Sequence, residues 1–415
     1  MQVTETPQRK KKPEPVLSLY RLLDPEVLAN PYPLYHKLRE EKPVYWDPYL
    51  FAWVVTGYDD VQTVLHRYNA DRTPTPEQLE KMGLHNFGPV ARMMVRQMLF
   101  MDGSAHMRLR SLASYAFTPG RVAVLRQHIG EIVEQLLDRA VERGSMDLIN
   151  DFAVPLPAIV TAEMLGVPAA DHEQLKDWST TFAEMLGNFQ HNPGRIEPVL
   201  KAVEGMTEYF QKAIVETRKN LREGLLHSFL TTESAEGDRF TDEEVIANVV
   251  VTMVGGQETT TNLIGNGMIS LLRHRDQLEL LMSDYSLIPS AVEELLRFES
   301  PSQQTARIAP ADTELGGMLL RKGQAVIAVM AAANRDPARF PEPDKLDITR
   351  KDNRHLAFGY AAHFCFGAPL ARIEAQVAFE ALLKRFPKIA MVPGKHEWRH
   401  NLGLRGLMSL PVTLG

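Results

Sequence analysis

The longest coherent pattern in the chain runs from Thr241 to about His274, where TDEEVIANVVVTMVGGQETTTNLIGNGMISLLRH keeps its apolar residues on a helical period. Thr241, followed three residues later by Glu244, reads as a capping box and predicts a sharp start. At 1.5 Å per residue such a helix is roughly 50 Å long, enough to cross a whole domain. Asn248, Gln257, Glu258, a threonine run and Asn262 interrupt the apolar stretch too often for a lipid-spanning segment, so it reads as a buried helix of a soluble protein. The same period predicts helices over about 120–142, 170–187, 196–223 and 370–386. Strand signals are short: 43–56, in which Asp47 and Pro48 suit a turn, then 323–332 and 407–414. The pattern predicts a mainly α fold with a small β portion.

The chain has 415 residues, 44% of them hydrophobic and 24% charged, which is enough for a large core. No linker divides it, so one large domain is expected over 20–415, with 1–19 as a disordered N-terminal tail. The basic run Arg9 to Lys12 sits in a chain of net charge -6 and reads as a solvated end, not as a nucleic-acid or membrane contact. No apolar stretch precedes it, so neither a signal peptide nor a membrane anchor is expected, and a cytoplasmic protein follows.

Cys365 is the only cysteine, which rules out a disulfide within the chain and a four-thiolate zinc site. One sulfur can ligate a metal, act as a nucleophile or pack inertly. Gly359 and Gly367 bracket it in FGYAAHFCFG, as a tight loop beside a flat ligand needs, and Pro369 suits the first turn of a following helix. A helix N-terminus lowers a thiol pKa. A nucleophile would want a histidine base, but on an extended segment His363 lies roughly 6–7 Å away. Axial ligation of haem iron is the better reading.

The loop FGxxxHxCxG resembles the cysteine-ligand loop of the cytochrome P450 family, the haem-thiolate monooxygenases, with Ala361 where a full match carries Gly. Two further segments, in the right order, carry the same resemblance. Glu294 and Arg297, neighbours on one helix face, look like the family's ExxR ion pair. Its third partner is usually an arginine, and Lys345 stands at the matching point. The segment GGQET resembles the oxygen-activation motif, in which Gly255 and Gly256 make room for oxygen over a helix bulge, Glu258 is the acid and Thr259 the alcohol.

The resemblance covers nearly the whole chain from about residue 20 and implies the P450 fold, with a long central oxygen-binding helix. It implies haem b (iron protoporphyrin IX), with Cys365 as axial ligand, Phe358 packed beside the sulfur, and Gly359 and Gly367 shaping the loop. His106, Arg110, Arg307 and His355 fall where relatives hold the haem propionates. By the same resemblance Met94, Met98, Leu186, Phe189, Gln304, Thr305 and Leu404 line the substrate pocket. Dioxygen is the oxidant, and electrons come from a separate ferredoxin or flavodoxin with its reductase; Arg108 and Arg372 are candidates for steering that partner. A monomer is expected. The methionines and the polar stretch Ser302 to Thr305 favour a sizeable, mainly apolar molecule with several oxygens, a polyketide or macrolide first, then a terpenoid, steroid or fatty acid. A peroxide-driven haem enzyme and a non-catalytic haem-binding protein stay open as alternatives.

Overall fold

The computed structural model describes residues 17–116, 119–188, 196–220 and 222–415. Seven helices position the site: α1 (Gly103–Ala116), α2 (Pro119–Arg143), α3 (His172–Asn188), α4 (Ile196–Asn220), α5 (Asp242–Arg273), α6 (Ile288–Phe298) and α7 (Ala368–Arg385). The expected capping box forms at α5, where the Thr241 hydroxyl accepts from the N–H of Glu244 and the Glu244 carboxylate accepts from the N–H of Thr241. α7 begins two residues before the expected point because Gly367 caps it and Pro369 falls in its first turn.

α5 is buried along most of its length and joins two apolar cores. Val245 to Val254 pack with residues of α3 and α4, while Leu263 to Leu272 pack with α2, α6 and α7. The stretch 255–262 belongs to neither cluster. Its glycines and polar side chains are thus carried across the middle of the protein by apolar anchorage on both sides.

The β portion is small. Strands β1 (Val44–Asp47) and β2 (Ala52–Val55) form the expected hairpin; β3 is Ser145–Asp147, β4 Thr305–Ile308, β5 Thr313–Leu315, β6 Met318–Leu320, β7 Ala325–Ala328, β8 Ala390–Met391 and β9 Pro411–Thr413. The main sheet has the order β1-β2-β7-β4, with β2 and β7 parallel and the other pairs antiparallel. The strand expected over 323–332 ends at Ala328, and Met330–Ala333 turn into a short helix. Asp47 does more than close the hairpin: its buried carboxylate accepts from the Ser18 hydroxyl at 2.8 Å and the Leu19 N–H at 3.0 Å, pinning the chain's first described residues. Structure therefore begins inside the segment expected as a tail, whose residues 1–16 lie outside those described. Among the described residues one helical stretch, Leu148–Leu165, is long and apolar enough to cross a membrane, and 61% of it is buried against the rest of the protein.

Candidate functional site

Cys365 stands two residues before the cap of α7 and is partly buried. Its N–H donates to the Phe358 carbonyl at 2.8 Å, which closes the loop, and Gly359 takes a left-handed turn at φ 73°. Ala361, where the family pattern has glycine, takes φ 57°, a conformation that costs a non-glycine residue roughly 1–2 kcal/mol. Burial pushes the Cys365 thiol up; the amides of Gly367 and Ala368 and the charges of Arg110 and Arg372 oppose it without prevailing. Here desolvation outweighs the helix terminus. His363 turns away from the sulfur, its Nε2 3.1 Å from Asp102.

Glu294 and Arg297 are fully buried and meet in a two-pronged ion pair at 2.7 and 2.8 Å. Glu294 also accepts from Arg350, the Asp347 N–H and Asn353. Arg297 donates to the carbonyls of Asn334, Pro343 and Lys345. The third partner is Arg350, not Lys345: the lysine contributes its carbonyl, while its side chain is exposed and lies 3.8 Å from Glu342.

A cluster of buried cations stands across the loop. Arg307 is 3% exposed and its Nε has no partner among the described residues, although Nη1 donates to Thr305 and Ala306. Arg72 packs 4.5 Å over the Phe100 ring, and burial together with the Arg307 charge lowers it to about 9, against the pull of Asp102. Asp102 itself is bound to His363 and to the Asp71 N–H. The His106 ring lies 4.3 Å from that of His363, and burial with the neighbouring His363 lowers it to about 4. Arg110 donates to the Phe364 carbonyl at 2.9 Å. His355 Nε2 is 3.2 Å from Glu293, which Arg372 also grips at 2.6 and 2.8 Å. Buried Arg307 and partly buried Arg72 have one carboxylate near them, Asp102, which leaves a surplus of positive charge, and an orphaned Arg307 Nε adds a free donor. Both features fit a cofactor with two carboxylates.

On α5 the helix runs unbroken through the expected bulge, and the Thr259 hydroxyl donates back to the Gly255 carbonyl. The two glycines differ. A Cβ at Gly255 would meet nothing within 4 Å, whereas one at Gly256 would approach Thr161 at 3.3 Å. Glu258 is 8% exposed; one oxygen accepts from Thr180 on α3 and the other from Arg399, each at 2.8 Å. Beside it lies a cavity of about 440 Å³ with an apolar wall that includes Phe87, Val90, Met185, Val199 and Leu404, and a polar end at Glu258, Asn262 and Arg399. Of the expected pocket residues Leu404 lines this cavity. Met98 is buried in an apolar cluster and Met94 packs against it, while Gln304 and Thr305 are not among the lining residues. The side chain of Leu186 and the whole of Phe189 lie outside the described residues.

The family model for cytochrome P450 matches residues 44–285 and 281–413. A biotin biosynthesis cytochrome P450 of Bacillus subtilis is 38% identical over 392 residues, covering 94% of this chain and 97% of the relative. The cytochrome P450 monooxygenase PikC of Streptomyces venezuelae is 38% identical over 413 residues, with 96% and 94% covered. The chain is a cytochrome P450. A crystal structure of P450BioI with an acyl carrier protein bearing hexadec-9Z-enoic acid superposes with a TM-score of 0.88 at 37% identity, covering 94% of this P450 and 100% of that chain. The P450 fold implies haem b held by a cysteine thiolate, and this P450 has one cysteine, Cys365. Its activity is that of a haem-thiolate monooxygenase, which consumes dioxygen and electrons from a redox partner.

Sequence reasoning missed Arg72, Asp102, Thr180, Arg350 and Arg399 in this P450. Each is joined to its partner by tertiary structure, so no local spacing marks it. Arg108 and Arg372, expected to steer a redox partner, form ion pairs with Glu244 and Glu293.

Proposed function

We propose that this P450 hydroxylates or epoxidises a sizeable, mainly apolar small molecule that bears several oxygens, of the polyketide or macrolide kind. The observation that carries the reading is the cavity beside Glu258, with a broad apolar wall and a confined polar end. PikC, a polyketide biosynthesis cytochrome P450 of Bacillus subtilis and a 6-deoxyerythronolide B hydroxylase of Saccharopolyspora erythraea support the same choice. A ferredoxin or flavodoxin with its reductase supplies electrons, and the enzyme works as a cytoplasmic monomer without nucleic acid or membrane.

When bound, haem b supplies the iron that activates dioxygen and accepts the electrons. Cys365 Sγ would hold the iron, with the amides of Gly367 and Ala368 hydrogen-bonded to the sulfur. Arg307, Arg72, Arg110 and His106 would hold the propionates, and Phe358 would pack beside the sulfur. Gly255 leaves the distal side open, where a larger side chain would intrude. Thr259 commits its proton to the Gly255 carbonyl, so its oxygen is left to accept. Both Glu258 oxygens accept, one from Thr180 and one from Arg399; released from them, the carboxylate would take up a proton from solvent and pass it toward Thr259.

The reduced carbon monoxide difference spectrum of the haem-loaded protein checks the thiolate, and Soret-shift titration with macrolactones, steroids and fatty acids checks the substrate class. Macrolactones are expected to bind most tightly; a clear preference for steroids or fatty acids overturns the reading. Thr259→Ala should lower product formed per electron consumed by about tenfold or more. Unchanged coupling would remove Thr259 from the relay.

A further inference from the structure

The polar end of the cavity holds groups that proton transfer does not use. Asn262 lies one helical turn beyond Glu258 on α5, lines the cavity and is 2% exposed. Neither its amide nitrogen nor its amide oxygen has a hydrogen-bond partner among the described residues. Gly406 packs against this amide so closely that a Cβ there would stand 1.8 Å from its oxygen, which leaves no room on that side for a partner. Arg399 is in a similar condition: Nη1 holds Glu258, but its buried Nε has no partner. A buried amide and a buried guanidinium nitrogen are rarely left unmatched in a folded protein. Their position in a cavity wall, and not in the packed core, points to an occupant of the cavity as the missing partner.

Charge narrows the chemistry of that occupant. The charged side chains among the described lining residues are Glu184, Glu258, Arg399 and the exposed His400. Arg399 is the one guanidinium, and Glu258 already balances it at 2.8 Å. An anionic group entering this end would meet no spare permanent cation among the described lining residues and would lose its hydration, whereas an uncharged oxygen needs only a donor. Asn262 offers a donor and an acceptor, and Arg399 Nε a further donor.

We propose that Asn262, with Arg399 Nε beside it, recognises an uncharged oxygen of the substrate (a hydroxyl, ketone or ester carbonyl), and that the Glu258–Arg399 pair makes this end of the cavity reject a free carboxylate. The inference rests on the reading of the cavity as the substrate pocket. It selects neutral, oxygen-bearing substrates over free fatty acids and makes Asn262 a specificity-determining residue.

Soret-shift titration of the haem-loaded enzyme at neutral pH, with methyl laurate, lauric acid and dodecane as probes, tests this directly. The ester is expected to bind on the order of tenfold more tightly than the acid, and Asn262→Leu to weaken the ester by about tenfold while leaving dodecane nearly unchanged. Asn262→Ser, which keeps a hydroxyl, should recover part of the ester affinity. The carbon monoxide spectrum of each variant confirms that the haem pocket is intact. Lauric acid binding as tightly as the ester overturns the proposal, as does an unchanged ester affinity in Asn262→Leu. Equal losses for ester and dodecane overturn it too, because Asn262 then only packs. No Soret shift from any probe, in wild-type protein with a thiolate spectrum, overturns the cavity as substrate pocket and this inference with it.

Discussion

The two sides of the site treat buried polar groups in opposite ways. On the cysteine side Glu294 and Arg297 are fully buried and saturated: the carboxylate takes Arg297, Arg350, a backbone N–H and Asn353, and the guanidinium takes three carbonyls besides. On the oxygen side Gln257 and Asn262 have no side-chain partners among the described residues, and Arg399 keeps an idle Nε. A saturated network gains nothing from a ligand and holds one geometry, so it suits a brace. An unsaturated wall is unfavourable until something binds, so it suits recognition and proton movement.

The sharpest way to break this contrast is to remove one partner from each side. Arg297→Met leaves three carbonyls without their donor and Glu294 with Arg350 as its remaining charge partner, and should cost about 3–5 kcal/mol. Glu258→Gln keeps the side chain's volume beside a partly exposed Arg399 and should cost less than about 1 kcal/mol. Urea unfolding of both variants compares them; equal losses would mean that the oxygen side is also a brace.

Glu374 on α7, like the Asn353 Oδ1, is an exception on the cysteine side. It is 1% exposed, its Oε2 has no partner among the described residues, and burial raises it to about 8. An acid whose folded value lies above its unfolded one binds more protons when folded, so its effect on stability is fully favourable below the unfolded pKa. Stability then falls as pH rises between about 4.5 and about 8, by at most ~1.4 kcal/mol per pH unit. Glu374→Gln should flatten that slope and be the more stable protein at alkaline pH. An unchanged slope would mean that the carboxyl finds a partner in solution.

Much of this was legible because the informative residues are close in sequence. The Thr241–Glu244 box, the Glu294–Arg297 pair and the loop around Cys365 each act over a few residues, where helix and turn geometry decide what meets what. Arg350 meets Glu294 from 56 residues away and Arg399 meets Glu258 from 141, and only the fold chooses such partners. Lys345 drew attention as a cation, yet its carbonyl is what Arg297 uses, and a carbonyl leaves no trace in a sequence. The methionines show a related ambiguity: periodic Met94 and Met98 fit a pocket wall as well as a core, and the cluster in which they pack also supplies Val90, Met185 and Val199 to the cavity wall.

A smaller effect is expected at Ala361. Held at φ 57°, it carries backbone strain that glycine would not, so Ala361→Gly should stabilise the protein by up to about 1 kcal/mol. Thermal unfolding of the haem-loaded protein measures it. Destabilisation would show that the methyl group makes a contact worth more than the strain.

The smallest effect should be at Lys345, the residue that most resembles a member of the brace without being one. Its side chain is exposed and its ion pair with Glu342 is long, so Lys345→Met should change stability by less than about 0.5 kcal/mol. The bond that Arg297 makes is to the backbone carbonyl, which survives any side chain at this position. Arg350→Met, measured in the same unfolding series, should cost clearly more, because its side chain is mostly buried against Glu294. If the two losses were reversed, the third place in the network would belong to the lysine, and the saturation that separates the two sides of the site would have been assigned to the wrong residue.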